Sequence, residues 1–501
     1  METGAIFSLT LYFLAMLGIG FYAWRKSTGN IKGFLLGGRD LGPAVAALSA
    51  GAADMSGWLL MGLPGEVYRI GFSASWIAIG LLAGAYANYL VVAPRLRVQT
   101  ERAGDSITVP EFFGKRFDDR SRALRSISAL VIVIFFTLYT SSGMVAGGKL
   151  FETAFAADYS FGLWLTAGVI IVYTFFGGFL AVSLTDFVQG AIMFVALVLV
   201  PVVAMIGVGG PGEVIAAVEG VNPAMLGLVG DLGIVAIVSS LAWGLGYFGQ
   251  PHIIVRFMAV RSVRDVPKMR RIGMSWMLVT LVGALATGFV GAAYAARNGL
   301  DVADPETIFI ILSGLLFHPL IAGFLLAALL AAVMSTISSQ LLVSSSSLTE
   351  DFYRSWLRRE ASQSELVLVG RISVLGVALV AIAIAYDPDN NILGLVADAW
   401  AGFGAAFGPI VILSLVWKRM TRDGALAGMI VGALTVILWI WPLLEGGASL
   451  EDSTLYSVVP GFLLCGLTAI LVSLAGKPPP PEVVRMFEES ETELREARSA
   501  R

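Results

Sequence analysis

The chain alternates long apolar runs with short polar and charged stretches. About 20 apolar residues span a bilayer as a helix. By that measure the pattern predicts thirteen membrane helices, over 5–24, 42–65, 73–93, 126–148, 160–178, 186–208, 233–255, 273–295, 317–346, 366–386, 391–417, 424–444 and 455–475. Two of these runs are not ordinary spans. The second contains Ser49 to Gly65, with Asp54, Ser56, four glycines and Pro64. The seventh contains Ser239 to His252, where Gly244, Gly246, Gly249 and Pro251 interrupt polar and aromatic residues. In lipid every backbone N–H and C=O needs a partner, so irregular backbone survives at membrane depth only inside protein or beside a wet cavity. An acid there is a functional-site candidate by default. The favoured reading of the second run is a broken helix whose freed carbonyls and acid, Asp54, handle a cation. The plain alternative is a glycine-rich packing helix with a buried, hydrogen-bonded Asp.

The two interrupted runs are five spans apart, so they cross the membrane in opposite directions. Paired interrupted helices at corresponding positions of two inverted halves mark the binding site of a transporter. The predicted fold is therefore an all-α polytopic membrane protein with a 5+5 inverted repeat. Residues 42–208 form the first half and 233–417 the second. Residues 1–24 and 424–475 lie outside the repeat, and 476–501 form a tail, helical from Glu482 on. The third helices of the halves should also correspond. One carries Tyr139 to Gly143, the other Ser335, Thr336, Ser338, Ser339 and Gln340. Such hydroxyls can bond back to carbonyls one turn earlier or join helices. Adjacent Ser335 and Thr336 facing a broken helix fit oxygen ligands for Na+, since a hard cation takes oxygen donors.

Composition agrees with a membrane protein: 57% hydrophobic and 14% charged residues over 501, with a mean hydropathy of +0.82. A soluble domain carries about 25% charge. The single cysteine, Cys465, excludes an internal disulfide, and two histidines are too few for paired haem ligation. No phosphate-binding loop of the G-x-x-x-x-G-K-[ST] type is present. The sequence thus points to no enzyme, and to no nucleic-acid or protein partner beyond the lipid bilayer.

Orientation follows from Lys and Arg, which favour the cytoplasmic side. With the N-terminus outside, only Arg69, Lys149 and Arg297 of the 33 Lys and Arg face outward. Arg256 is counted among the inward loop residues. Acids collect on the outer side: Glu213, Glu219, Asp301, Asp304, Glu306, Asp387, Asp389, Glu451 and Asp452. Arg25 and Lys26 follow the first span rather than precede it, which retains that span in the membrane. Val109 to Phe113 reads as the start of a short amphipathic helix at the membrane surface.

Several stretches resemble the sodium/solute symporter family, most closely its sodium/proline branch. They are Leu36 to Pro43, Ser49 to Gly65, Phe135 to Tyr139, Gly177 to Ser183, Trp243 to His252, Ala331 to Thr336 and Trp400 to Pro409. The resemblance implies thirteen helices around a core like that of the bacterial leucine transporter, and Na+-coupled uptake of L-proline. It implies a Na+ site made by the carbonyls of Ala52, Met55 and Ala332 and the hydroxyls of Ser335 and Thr336, with Asp54 governing Na+ affinity. It implies substrate contacts at Ser56, Gly57, Tyr139, Trp243, Tyr247 and Pro251. Trp and Tyr also anchor helices at bilayer interfaces, so each aromatic keeps that second account.

Other substrates fit the same family. A sugar site needs several Asn, Gln and Glu groups, and the seventh run offers aromatics, glycines and Gln250 alone. Asp398 departs from the family pattern. It lies about 10 Å along its helix from Asn391, with Asn390 just before. It is either a buried, hydrogen-bonded acid or an ionised vestibule acid that gathers cations.

Overall fold

The computed structural model describes residues 3–26, 31–387, 391–440 and 455–499. Asp389, Asn390, Glu451, Asp452 and residues 441–444 of the twelfth predicted span lie outside the described residues. Among those described, regular structure is helical, with one isolated bridge between Leu41 and Val260. Among the described residues, ten helices are long and apolar enough to cross a membrane.

The first run is α1, Thr3–Lys26. The second divides into α2, Pro43–Asp54, and α3, Leu63–Ile70, joined through the unwound Met55 and a wider turn at Trp58–Gly62. Next come α4, Ser75–Arg102, α5, Val109–Arg116, and α6, Ala123–Phe155. Then α7, Tyr159–Val208, carries the fifth and sixth runs together. The seventh run divides into α8, Ile234–Ala242, a tight stretch Trp243–Gly249, and α9, Pro251–Ala259. Later helices include α10, Val266–Asn298, α11, Pro319–Ser346, α12, Gln363–Ile384, α13, Ile392–Val416, α14, Arg422–Ile440, α15, Val458–Ala475, and α16, Pro481–Ser499.

Although α7 is continuous in its bounds, Gly178 folds it back on itself. Its φ of 59° and ψ of −156° lie outside the helical region, and a Cβ there would strike Phe34, so glycine is required. In a straight helix Tyr173 and Gln189 would be about 24 Å apart. Instead both reach one place: Tyr173 donates to the Met334 carbonyl at 2.9 Å, and Gln189 donates to the Tyr12 hydroxyl at 2.8 Å, itself beside Met334.

Contacts sort the two ends of the bundle. One end is basic. There Arg39 is buried and donates to the Met258 carbonyl, Thr100 and Asp105. Leu41 N–H donates to the Ala259 carbonyl at 3.2 Å, and Arg261 N–H to the Leu41 carbonyl at 3.0 Å. These bonds tie the start of α2 to the end of α9, so the two interrupted helices share an anchor. Burial alone raises the Asp105 carboxyl, but hydrogen bonds from Lys32 and Arg39 outweigh it and hold it below the usual carboxylate range. Its contribution to stability is therefore present above the unfolded-state value and fades as the pH falls through the lowered one. At the other end Lys149 pairs with Asp304 at 3.0 Å, and Glu306 accepts from the first N–H groups of α13, those of Ile392 and Leu393.

One expectation needs correction. Arg256 is not a loop residue: it is fully buried in α9. The short helix α5 packs its apolar face on protein. Phe112 and Phe113 are buried, Phe113 stacks on Phe407, and Arg116 Nε donates to the Ser414 carbonyl at 3.0 Å. The tail helix α16 lies along α4, with Glu491 on Arg95 and Glu489 and Glu493 on Arg102.

Glycine sets the approach of α4 to the second interruption. A Cβ on Gly244 would stand 2.2 Å from the Gly80 carbonyl oxygen, and one on Gly84 would stand 2.1 Å from the Gly244 oxygen. Both contacts are to backbone, which cannot rotate away. Gly244→Ala is expected to cost about 1–3 kcal/mol by overpacking and to lower the folded yield and thermal midpoint. An unchanged midpoint in detergent-solubilised protein would contradict this packing.

Candidate functional site

The site is built where α2 stops. In a continuous helix the Ser56 N–H would take the Ala52 carbonyl. Met55 has φ −81° and ψ 76°, and the Ser56 N–H bends to the Asp54 carbonyl at 3.0 Å. The Ala52 carbonyl is thereby freed from its helix. It accepts from Ser335 Oγ at 2.7 Å and Thr336 Oγ1 at 3.5 Å. Both hydroxyls also reach the Ala332 carbonyl at 3.1 Å. Four of the five predicted Na+ ligands thus converge between α2 and α11, all buried. Met55, the fifth, is buried at the break itself, its N–H on the Gly51 carbonyl at 2.9 Å.

The Asp54 carbonyl gathers the other side of the break. It accepts from Trp58 Nε1 at 3.0 Å and from the Tyr139 hydroxyl at 3.5 Å. The Asp54 side chain meets Tyr247 of the second interruption. Its Oδ2 accepts from the Tyr247 hydroxyl, while its Oδ1 is buried with no hydrogen-bond partner. Asn88 Oδ1 is likewise unpartnered, and both residues line a cavity of about 20 Å³ that also touches Tyr247. The break therefore has two oxygen-rich faces, one toward α11 and one toward α4.

Of the predicted substrate residues, Ser56, Tyr139 and Tyr247 come together around Asp54. Gly57 presses on α6 and α11, where a Cβ would be 2.9 Å from that of Ala146. Pro251 opens α9 and is buried. Trp243 stands farther along the tight stretch, its ring between Trp400 at 6.5 Å and Tyr456 at 5.4 Å. Asp398 is half-buried and lines one cavity with Trp243.

The sequence reading missed a charged cluster beside the break. Asp186 of α7 and Arg256 of α9 are fully buried and 3.1 Å apart. Ser49 donates to Asp186 at 2.7 Å, and Arg256 donates to Ser49, Ser339 and the His252 carbonyl. The pair joins α2, α7, α9 and α11. The usable signal was an acid and a base beside apolar runs that hold few other charges.

A family model described as the sodium:solute symporter family matches residues 34–432. The osmoregulated proline transporter OpuE of Bacillus subtilis is 57% identical over 97% of this chain and 98% of its own length. The high-affinity proline transporter PutP of the same organism is 56% identical, over 94% and 98%. The sodium/proline symporter of Staphylococcus aureus is 55% identical, over 94% and 92%. Among solved structures, a Na+-coupled sialic acid symporter superposes with a TM-score of 0.80 at 19% identity, covering 96% of this chain and 99% of that one. Mhp1, a nucleobase-cation-symport-1 family transporter, gives 0.55 at 13% identity over 91% and 98%. The interrupted helices thus sit in a shared transporter fold, and on the match across most of its length this chain belongs to the sodium:solute symporter family.

Proposed function

We propose that this protein carries L-proline into the cell together with Na+, by alternating access, as a multi-pass protein of the cell membrane. The observation that carries the reading is the Ala52 carbonyl, freed from its helix and met by the Ser335 and Thr336 hydroxyls. Oxygen donors without a full charge suit a monovalent hard cation. The names of relatives at 55–57% identity support proline as the solute.

In this reading Na+ is held by the carbonyls of Ala52, Met55 and Ala332 and by Ser335 and Thr336, with Asp54 tuning its affinity across the break. Proline lies against Ser56, Gly57, Tyr139, Tyr247 and Pro251, with Trp243 toward the entrance and Asp398 as a vestibule acid. Its carboxylate suits free N–H groups at a half-helix end, and its ring suits aromatic walls. Thirteen crossings follow if two of the ten long helices are divided, at Gly71 and at Gly178, and the interrupted seventh run is counted as one more. Residues 42–208 and 233–417 then form the inverted halves. The basic end faces the cytoplasm, so the N-terminus is outside and the tail inside.

Because one break supplies both the sodium carbonyls and Ser56, each ligand should raise the other's affinity by the same factor. Equal proline affinity at zero and saturating Na+, at fixed ionic strength, would overturn the coupling. Ser335→Ala and Thr336→Ala each remove one oxygen from the cation. Each is expected to raise the apparent Na+ constant roughly tenfold, or about 1.4 kcal/mol, with a smaller change in proline affinity at saturating Na+. The reverse pattern in binding titrations would assign the hydroxyls to the substrate.

A further inference from the structure

Asn88 of α4 stands against both interruptions. Its Nδ2 donates to the Tyr247 carbonyl at 3.0 Å, and that bond fixes which way the amide faces. Tyr247 in turn donates its hydroxyl to Asp54 Oδ2. The chain of bonds thus runs from α4 through the tight stretch to the end of α2, and stops one link short of a closed ring. The two atoms at its ends are Asn88 Oδ1 and Asp54 Oδ1. Both are buried, both residues line the same cavity of about 20 Å³, and neither atom has a hydrogen-bond partner among the described residues. Ala85, Ile253, Phe257 and Met277 make much of the remaining wall. Two acceptors cannot bond to each other, and an acceptor buried without a donor is destabilising.

We propose that this cavity binds one water molecule, which donates to Asp54 Oδ1 and Asn88 Oδ1, and that Asn88 is a positioning residue for the Asp54 carboxylate. A buried water needs at least about 10–15 Å³ of such volume and two to four polar partners, and the cavity supplies both. A hard cation takes a fuller shell of oxygens, which these two side-chain oxygens do not complete. With the water in place the ring closes. Asp54 is then held at both oxygens, by Tyr247 of the second interruption and, through the water, by α4. Because α4 runs on past the site from Ser75 to Arg102, it gives the two interruptions one shared reference. The positioning role rests on the reading above that Asp54 tunes Na+ affinity; the water site does not.

The test first alters the cavity wall and leaves Asp54 and Asn88 in place. Ala85 lines the cavity, and serine and cysteine there are near-isosteres that differ as donors: the hydroxyl donates well and the thiol weakly. Either side chain displaces the water, but only serine replaces its donor. In the full chain in lipid nanodiscs, Ala85→Cys is expected to lower the thermal midpoint and to raise the Na+ dissociation constant, read by calorimetric titration, roughly fivefold. Ala85→Ser should keep both near wild type. Asn88→Leu should raise the Na+ constant more than the proline constant at saturating Na+, a split that mere loosening of the fold does not give. Equal midpoints and equal Na+ constants in the Cys and Ser variants overturn the water. A structure that resolves waters, taken with choline replacing Na+, supplies the second arm. Density bridging the two oxygens supports the site; no density, or density that appears only with Na+, overturns it. A bridging water together with an unchanged Na+ constant in Asn88→Leu overturns the positioning role. The midpoint and the density involve neither transport nor Na+, so their outcome stands apart from failure of the symport reading.

Discussion

Asp54→Asn is expected to raise the Na+ concentration for half-maximal proline uptake at least tenfold, a change of about 1.4 kcal/mol or more. Asparagine keeps the shape and can still accept from Tyr247, so the break itself should persist. What disappears is a negative charge two residues from the Ala52 carbonyl, in surroundings where every nearby group is buried. A nearby charge acts strongly there because solvent screens it little. Asp54→Glu keeps the charge on a longer arm and should retain part of the Na+ response. A Na+ titration unchanged in the Asn variant would reduce Asp54 to a packing partner of Tyr247.

Breaking the Asp186–Arg256 pair should have the larger effect on stability. Removing one partner leaves an uncompensated buried charge, at a cost of about 3–5 kcal/mol. That is a large share of the roughly 5–15 kcal/mol that holds a typical domain folded. Arg256→Gln and Asp186→Asn alone should each lower the thermal midpoint and the folded yield. The double variant should recover part of the loss, because two neutral amides leave no bare charge. Residues in direct contact depart from additivity, so midpoints that simply add would contradict the coupling.

Much of this architecture was legible in the linear pattern. The two interruptions stood out because glycine, proline and an acid are wasted in a lipid-facing helix, and the structure breaks both at Met55 and Gln250. Ser335 and Thr336 stood out as adjacent hydroxyls in an apolar run. Other features were hidden for physical reasons. Asp186 opens the sixth predicted run and Arg256 follows the seventh, positions where a charge reads as the polar edge of a span, and only their meeting shows that both are buried. The direction of the Asp54 side chain depends on where a helix unwinds, which periodicity does not encode. The burial of α5 depends on Phe407 and Ser414, nearly three hundred positions away. The shared cavity of Trp243 and Asp398 is likewise a product of tertiary packing, since neither residue lies near the other in the chain.

The central claim is that a Na+ gradient drives proline inward through this protein. Its most direct test is uptake of labelled L-proline into proteoliposomes containing the purified chain, with an inward Na+ gradient and with K+ replacing Na+ throughout. The account predicts transient accumulation above the external concentration with Na+, abolished by K+ replacement or by collapsing the gradient, and reduced in Ser335→Ala. Accumulation that is equal with and without the Na+ gradient, or no proline uptake while another solute accumulates with Na+, would contradict it.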